Sequence, residues 1–263
     1  MFRSKSTAEI QKIVAEQGDL LSDLEISSLS QDPRAGVRKI YQQFCRQRVL
    51  LEKEYTRLQN MALYEKQARE QGFKLIAGVD EAGRGPLAGP VVAAAVVFPE
   101  GCLINGVNDS KKLTPQMRAK LFTEIKEKAA CWAVGLADVE EIDNLNILQA
   151  SLLAMRRAIQ NLAEHPDYIL VDAVRIPEVS VPQLPIIKGD GKSITIAAAS
   201  IIAKVTRDRM MEDYDRKFPA YGFAKHKGYG TRDHIKAIQT YGCCSLHRQT
   251  FVKNITNSSG DGK

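Results

Sequence analysis

The spacing of apolar positions changes once along the chain, near residue 72. Before that point it is helical. Ile10, Ile13, Val14, Leu20, Leu21 and Leu24 predict one helix broken near Gly18. After the stop signal Asp32-Pro33, the positions Val37, Ile40, Tyr41, Phe44, Leu51, Tyr55 and Leu58 predict a second, longer helix with charged residues on its other face. Residues 1–72 therefore read as a helical N-terminal extension.

From Lys74 the pattern becomes that of strands. Residues 75–80 form a short apolar run ending in an acid, 91–98 a second run rich in Val and Ala, and 132–137 a third. Between the first two, Gly83-Arg84-Gly85-Pro86-Leu87-Ala88-Gly89-Pro90 is turn chemistry. Thr114 followed by Pro115 opens a helix that buries Met117, Leu121 and Ile125. From about Glu140 a second helix aligns Ile142, Leu145, Leu148, Leu152, Met155, Ile159 and Leu162 on one stripe. Residues 168–171 form a strand ending at Asp172, and 184–188 another ending near Asp190. Ser193 caps a long helix reaching about Phe218, and the remainder is helical and irregular. Strands alternating with helices predict a three-layer α/β domain over residues 73–252, followed by a flexible tail over 253–263.

Composition adds limits. No run of 18 apolar residues exists, so no membrane-spanning helix is expected, and the start lacks the apolar run of a signal peptide. Cys45, Cys102, Cys131, Cys243 and Cys244 share no metal-ligand spacing, which points to reduced thiols in a cytoplasmic protein. The net charge of +6 is unevenly placed: Lys and Arg balance Asp and Glu up to Ala199, then outnumber them 12 to 6. That asymmetry suits a polyanionic partner.

Three apolar strands thus deliver acids where they stop: Asp80 with Glu81, Asp172, and Asp190. Any one of them could cap a helix or pair with an arginine. In open α/β sheets, ligands bind beyond the carboxyl ends of strands, and acids converging there repel one another unless a cation joins them. Oxygen ligands without histidine or cysteine suit Mg²⁺ or Mn²⁺, and two such ions can clamp the attacking and leaving oxygens of a phosphodiester. Two nucleotide motifs fail. The glycines from Gly83 fit a dinucleotide fingerprint, but Gly89-Pro90 leads into a strand where a helix is needed. Gly191-Lys192-Ser193 resembles the end of a P-loop, but Ile186 stands where its first glycine belongs.

The run Gly78-Val79-Asp80-Glu81-Ala82-Gly83-Arg84-Gly85-Pro86-Leu87-Ala88-Gly89-Pro90 resembles the opening motif of the type 2 ribonuclease H family, in its bacterial ribonuclease HII form. So do Asp109-Ser110-Lys111-Lys112-Leu113, Val171-Asp172, Lys188-Gly189-Asp190, the segment 193–208, Lys227-Gly228-Tyr229-Gly230-Thr231, and Leu246-His247-Arg248. The resemblance spans about residues 73–252. It implies a ribonuclease H-like fold, with a five-stranded mixed central sheet flanked by helices. It also implies an endoribonuclease that cuts the RNA strand of RNA–DNA hybrids and nicks 5′ of ribonucleotides embedded in duplex DNA. The expected ends are 3′-hydroxyl and 5′-phosphate. By position, the metal-binding acids of such an enzyme fall on Asp80, Glu81, Asp172 and Asp190, with Asp80 the expected bridge between two Mn²⁺ or Mg²⁺ ions. Reading of the ribose 2′-hydroxyl falls on Gly83, Arg84 and Gly85, and Tyr229 falls against the next sugar.

Lys111 and Lys112 precede a helix N-terminus, a favourable place for phosphate. Ser200 and Lys204, four apart on one helix, are expected to grip another. His234 and His247 are expected to be structural. A related type, ribonuclease HIII, shares the acids but carries an N-terminal sheet domain, against which the helical residues 1–72 argue. The expected partners are RNA–DNA hybrids and ribonucleotide-containing DNA, bound by a monomer with no membrane association.

Overall fold

In this computed structural model, residues 2–257 are described. They divide into two compact units, Met1–Arg57 and Leu58–Lys263.

The first unit is helical. Helix α1 (Thr7–Gln17) and helix α2 (Asp23–Ser30) both open with a capping box, Ser6 with Glu9 and Ser22 with Glu25. A 3₁₀ turn at Gly18–Leu20 makes the break expected near Gly18. Helix α3 (Ala35–Met61) begins after Asp32-Pro33 and runs across the division between the units. Phe2, Ile10, Leu29, Val37 and Ile40 form the core. Four residues of the predicted apolar stripes, Leu20, Leu24, Leu51 and Tyr55, are exposed instead. A small helical unit has too little facing surface to cover every apolar position.

The second unit begins at Leu58, and the segment after Leu58 packs with the sheet domain. Leu58 and Met61 join one of its cores and Ala68 on helix α4 (Leu63–Glu70) joins another. Strands β1 (Ile76–Ala82), β2 (Val91–Val97), β3 (Cys131–Ala137), β4 (Tyr168–Asp172) and β5 (Gln183–Ile186) form one sheet in the order β3-β2-β1-β4-β5. The β1–β2 and β2–β3 pairs are antiparallel, whereas β1–β4 and β4–β5 are parallel, so the expected five-stranded mixed sheet is present.

Both faces of the sheet are covered, which explains why all of β2 is buried. Val91, Ala93, Ala95 and Val97 point into one core, packing with Ala150, Ala154 and Ala158. Ala94 and Val96 point the other way, toward Ala197, Ala198, Ile201 and Ile202. The helix beginning at Thr114-Pro115 is α5 (Pro115–Lys128); the Thr114 hydroxyl caps Met117 N–H, Leu121 and Ile125 are buried, and Met117 is exposed.

The single stripe predicted from Glu140 is in fact two helices, α6 (Val139–Leu145) and α7 (Ile147–Gln160). Asn146 separates them at φ 73° and caps α7 through bonds from Leu148 N–H and Gln149 N–H. Asparagine tolerates this left-handed conformation, and the turn leaves Leu145 and Leu148 exposed. Ser193 caps helix α8 (Ile194–Lys217) as predicted. The chain then closes with α9 (Phe223–His226), α10 (Arg232–Tyr241) and α11 (Gln249–Asn257). Helix α11 extends into the segment expected as a tail from 253, and 258–263 lie outside the described residues. Among the described residues no helix is long and apolar enough to cross a membrane.

Candidate active site

Helix α8 lies directly on β1. A side chain at Gly78 would come within 2.2 Å of the Thr195 backbone, so only glycine permits this approach. Two residues along a strand advance nearly as far as four along a helix. Gly78 meets Thr195 and Ile196, so Asp80 falls opposite Ser200, whose hydroxyl offsets part of the rise in the Asp80 pKa. Ser110 Oγ lies 2.9 Å from Ser200 Oγ, completing a buried chain of three side chains. Ser200 was expected to grip a phosphate with Lys204. It is 4% exposed and lies beside Asp80.

The other acids gather around this point. Asp172 ends β4, beside β1, and its Oδ1 accepts from Gly189 N–H at 2.7 Å. That bond draws the 3₁₀ turn Gly189–Gly191, which carries Asp190, against the strand. Asp190 therefore comes from a turn after β5 and not from the strand end itself. Burial raises the pKa of Asp80 well above the usual carboxylate range, and the charges of Glu81 and Asp172 add to the shift. Glu81 is raised by burial and by Asp172, against the opposing pull of Arg84, whose Nη1 lies 3.4 Å from Glu81 Oε1. Asp190 is raised by burial, then by Asp109 and Asp172. For Lys111, desolvation works against the charge, but Asp80, Asp190, Asp109 and Asp172 outweigh it and raise its pKa. Five acids and one lysine thus share a single electrostatic neighbourhood.

Among the described residues, no group of three or more His, Cys, Asp and Glu is drawn together closely enough to hold an ion as it stands. The chemistry of the donors still fits a hard divalent cation. They are carboxylates whose charges disfavour one another, with no imidazole or thiol among the interacting groups.

Beside the acids, the loop after β1 is shaped by two buried arginines that pattern reading did not single out. Arg207 on α8 donates to the carbonyls of Pro90, Ala88 and Lys227 at 2.9–3.0 Å. Arg248 donates to the carbonyls of Gly89, Arg84 and Gly83. Both are at most 1% exposed, and each of these bonds goes to a backbone carbonyl. Burial lowers the pKa of Arg248 to about 9, with the Arg207 charge adding to the shift. Since the Gly83 and Arg84 carbonyls turn inward to Arg248, the trans peptide geometry turns the following N–H groups, of Arg84 and Gly85, the opposite way. Gly83 has φ +99°, and a side chain there would lie 2.1 Å from Arg207 Nε.

Tyr229, 44% exposed, faces this loop: a Cβ placed on Gly85 would lie 3.8 Å from its ring. Lys204 Nζ lies 6.0 Å from the ring centroid and pairs with Asp208 at 2.8 Å. Lys112 is exposed, 3.9 Å from Asp109. Asp109 also accepts from Lys111 N–H, and its charge raises the pKa of Asp190, making it a fifth acid of the site. Its place within Asp109-Ser110-Lys111-Lys112 was the only sequence signal for that role.

Comparison with known proteins agrees with this geometry. The profile of the family described as Ribonuclease HII matches residues 77–254, and that of the Ribonuclease HII N-terminal domain matches residues 6–69. The chain is 52% identical to Ribonuclease HII of Ruminiclostridium cellulolyticum, over 94% of each chain. It is 48% identical to Ribonuclease HII of Clostridioides difficile, over 97% of this chain and 100% of the other. Among solved structures, the ribonuclease H2 of Pyrococcus horikoshii OT3 is similar at a TM-score of 0.59 and 30% identity, over 72% of this chain and 100% of that one.

Proposed function

The chain belongs to the ribonuclease HII family, whose members cleave the RNA of RNA–DNA hybrids, and from that premise we propose that it also nicks duplex DNA 5′ of single embedded ribonucleotides. The products are 3′-hydroxyl and 5′-phosphate ends. The observation that carries this reading is the juxtaposition of the acid cluster around Asp80 with the Gly83-Arg84-Gly85 loop, whose outward N–H groups face the same side as Tyr229.

Asp80, Glu81, Asp172 and Asp190 are the residues that would hold divalent cations, Mn²⁺ or Mg²⁺. When bound, two such ions lower the pKa of a water molecule and neutralise charge on the leaving oxygen. The protein's own groups do the rest. Ser200 holds the Asp80 carboxylate in one orientation through its hydroxyl. The Arg84 and Gly85 N–H groups read the ribose 2′-hydroxyl, the one atom that separates RNA from DNA at a given position. Arg84, Lys111, Lys112 and Lys204 meet flanking phosphates, which makes binding salt-dependent. The Tyr229 ring stacks on the following sugar and favours a deoxyribose there. The cation-rich last quarter of the chain supplies the remaining attraction for a polyanion. We place the enzyme in the cytoplasm, as a monomer with five free cysteines.

The test uses duplex DNA carrying one ribonucleotide, incubated with the protein and Mn²⁺ or Mg²⁺, then with EDTA. One nick 5′ of the ribonucleotide, abolished by EDTA, is expected. Absence of nicking with metal present would overturn the reading. Cleavage of a continuous hybrid but not of the single-ribonucleotide duplex would point to the ribonuclease HIII type of activity.

A further inference from the structure

Three of the four histidines are packed together under Tyr229: His226, His234 and His247, at 8%, 0% and 1% exposure. Their hydrogen bonds assign every proton. His234 Nδ1 lies 2.9 Å from the Tyr229 carbonyl, which can only accept, so Nδ1 carries the proton and Nε2 does not. His247 Nε2 lies 3.1 Å from His234 Nε2 and must therefore donate. That leaves His247 Nδ1 as the acceptor for Cys244 N–H, at 2.9 Å. His226 donates from Nε2 to the Tyr221 carbonyl at 2.8 Å, and its Nδ1 accepts from Gly228 N–H at 3.2 Å. The His226 and His234 rings are stacked, with centroids 4.4 Å apart. Burial holds His234 at a pKa of about 4 and lowers that of His247, so both stay neutral near pH 7.

The turn above them needs such support. Lys227 and Gly228 are consecutive left-handed residues, at φ 52° and 85°, and the first has a side chain. Each peptide group around Tyr229 has its own partner. Arg207 takes the Lys227 carbonyl, His226 the Gly228 N–H, Leu87 N–H the Gly228 carbonyl, and His234 the Tyr229 carbonyl. The backbone is thus fixed from several sides while the Tyr229 ring remains exposed. An exposed ring on an immobilised backbone offers a stacking surface that loses little entropy on binding.

We infer that His234, held in one tautomer by His247 and stacked on His226, is the positioning residue for Tyr229 and thereby sets the preference for an isolated ribonucleotide over a continuous hybrid. The inference rests on the role given to Tyr229 in the proposed function. It assigns the histidines a part in selectivity, with no part in the chemistry itself.

The test compares kcat/KM of the full-length protein on two substrates: duplex DNA with one ribonucleotide, and a continuous RNA–DNA hybrid. His234→Ala should lower the ratio of the first to the second by about tenfold, since small displacements of positioning groups cost at least that much. His234→Asn keeps a donor near the Nδ1 position and should restore most of the ratio. An equal loss on both substrates, or Asn behaving as Ala, would overturn the inference. A second measurement is independent of activity and of variant folding. Imidazole ¹⁵N–¹H correlation spectra of the wild type should show protons on Nδ1 of His234 and on Nε2 of His226 and His247. The opposite tautomer at His234 also overturns it. Wild-type cleavage with an unchanged variant ratio removes this inference alone, whereas a wild type that cuts neither substrate removes the proposed function as well.

Discussion

Arg248 donates from Nη2 to the carbonyl of Gly83 at 2.5 Å, across 165 residues of chain. The same guanidinium holds the Arg84 and Gly89 carbonyls, so one buried side chain fixes the curvature of the loop beside the acids. Arg248→Lys keeps the charge but loses the planar fork. It should destabilise the protein by roughly 3 kcal/mol, as expected when buried carbonyls lose their partners. Urea unfolding would measure that loss. The kcat/KM on the single-ribonucleotide duplex should fall at least as steeply, and an unaffected kcat/KM would count against the loop's role.

Gly83→Ala tests the same loop from its other side. At φ +99° a side chain is strained, and Arg207 Nε occupies its place. The strain alone is worth about 1–2 kcal/mol. The protein should remain folded by circular dichroism, with cleavage reduced on the order of a hundredfold because the donors shift relative to the acids. Normal cleavage would show that the loop's curvature is dispensable.

Asp80→Asn should abolish cleavage with either metal while leaving substrate binding largely intact. It should also raise the stability of the metal-free protein by about 1 kcal/mol, the scale on which active-site residues oppose stability. The sign follows from the raised pKa. An acid held above its unfolded value is penalised as pH rises through the unfolded and then the folded pKa, and asparagine escapes that penalty. Thermal melts at pH 7 in EDTA would read it, and a lower Tm for the variant would refute the electrostatic account.

Glu65 is a third, more distant support. Its Oε1 accepts from Ser193 Oγ, Thr195 Oγ1 and Thr195 N–H, so this α4 carboxylate caps α8, the helix that carries Ser200, Lys204 and Arg207. Glu65→Ala should cost about 1–2 kcal/mol, the range of a lost helix cap. Cleavage specificity should be unchanged, so a shifted product pattern would mean that α8 itself moves.

The histidine cluster makes stability depend on pH. His234 is held neutral by burial, its pKa lowered from 6.5 to about 4. The unfolded chain takes up a proton in that interval and the native protein does not. Its contribution is therefore complete above 6.5 and is lost as pH falls toward 4, by about 2–3 kcal/mol. Denaturation between pH 7 and 4 should show a shallower decline in His234→Asn than in the wild type. Equal slopes would mean that His234 titrates normally.

Much of the fold was legible because it is set by neighbours in sequence. Thr114 and Ser193 cap helices through groups three residues away, and the alternation in β2 reports its two covered faces directly. The expectations that failed required knowledge of distant surfaces. Leu51 and Tyr55 continue an apolar stripe yet stay exposed, and Asn146 divides one stripe into two helices. Ser200 reads as a phosphate contact four residues before Lys204. That it also lies beside Asp80 follows from Gly78, which lets α8 lie on β1.

Read from the chain alone, four acids follow short apolar runs, beside a glycine-rich turn and a basic last quarter. Those features follow from local periodicity, turn chemistry and charge, each encoded within a few residues. How the site is braced follows from packing across the fold. Arg207 and Arg248 hold the loop from Gly83 to Pro90, and His226 and His234 hold the turn at Tyr229. The arginine bonds join groups far apart in the chain, and they end on backbone carbonyls that are the same for every residue type. Side-chain pattern carries no signal for such partners; the packing of α8 on β1 and the return of the chain at Arg248 create them.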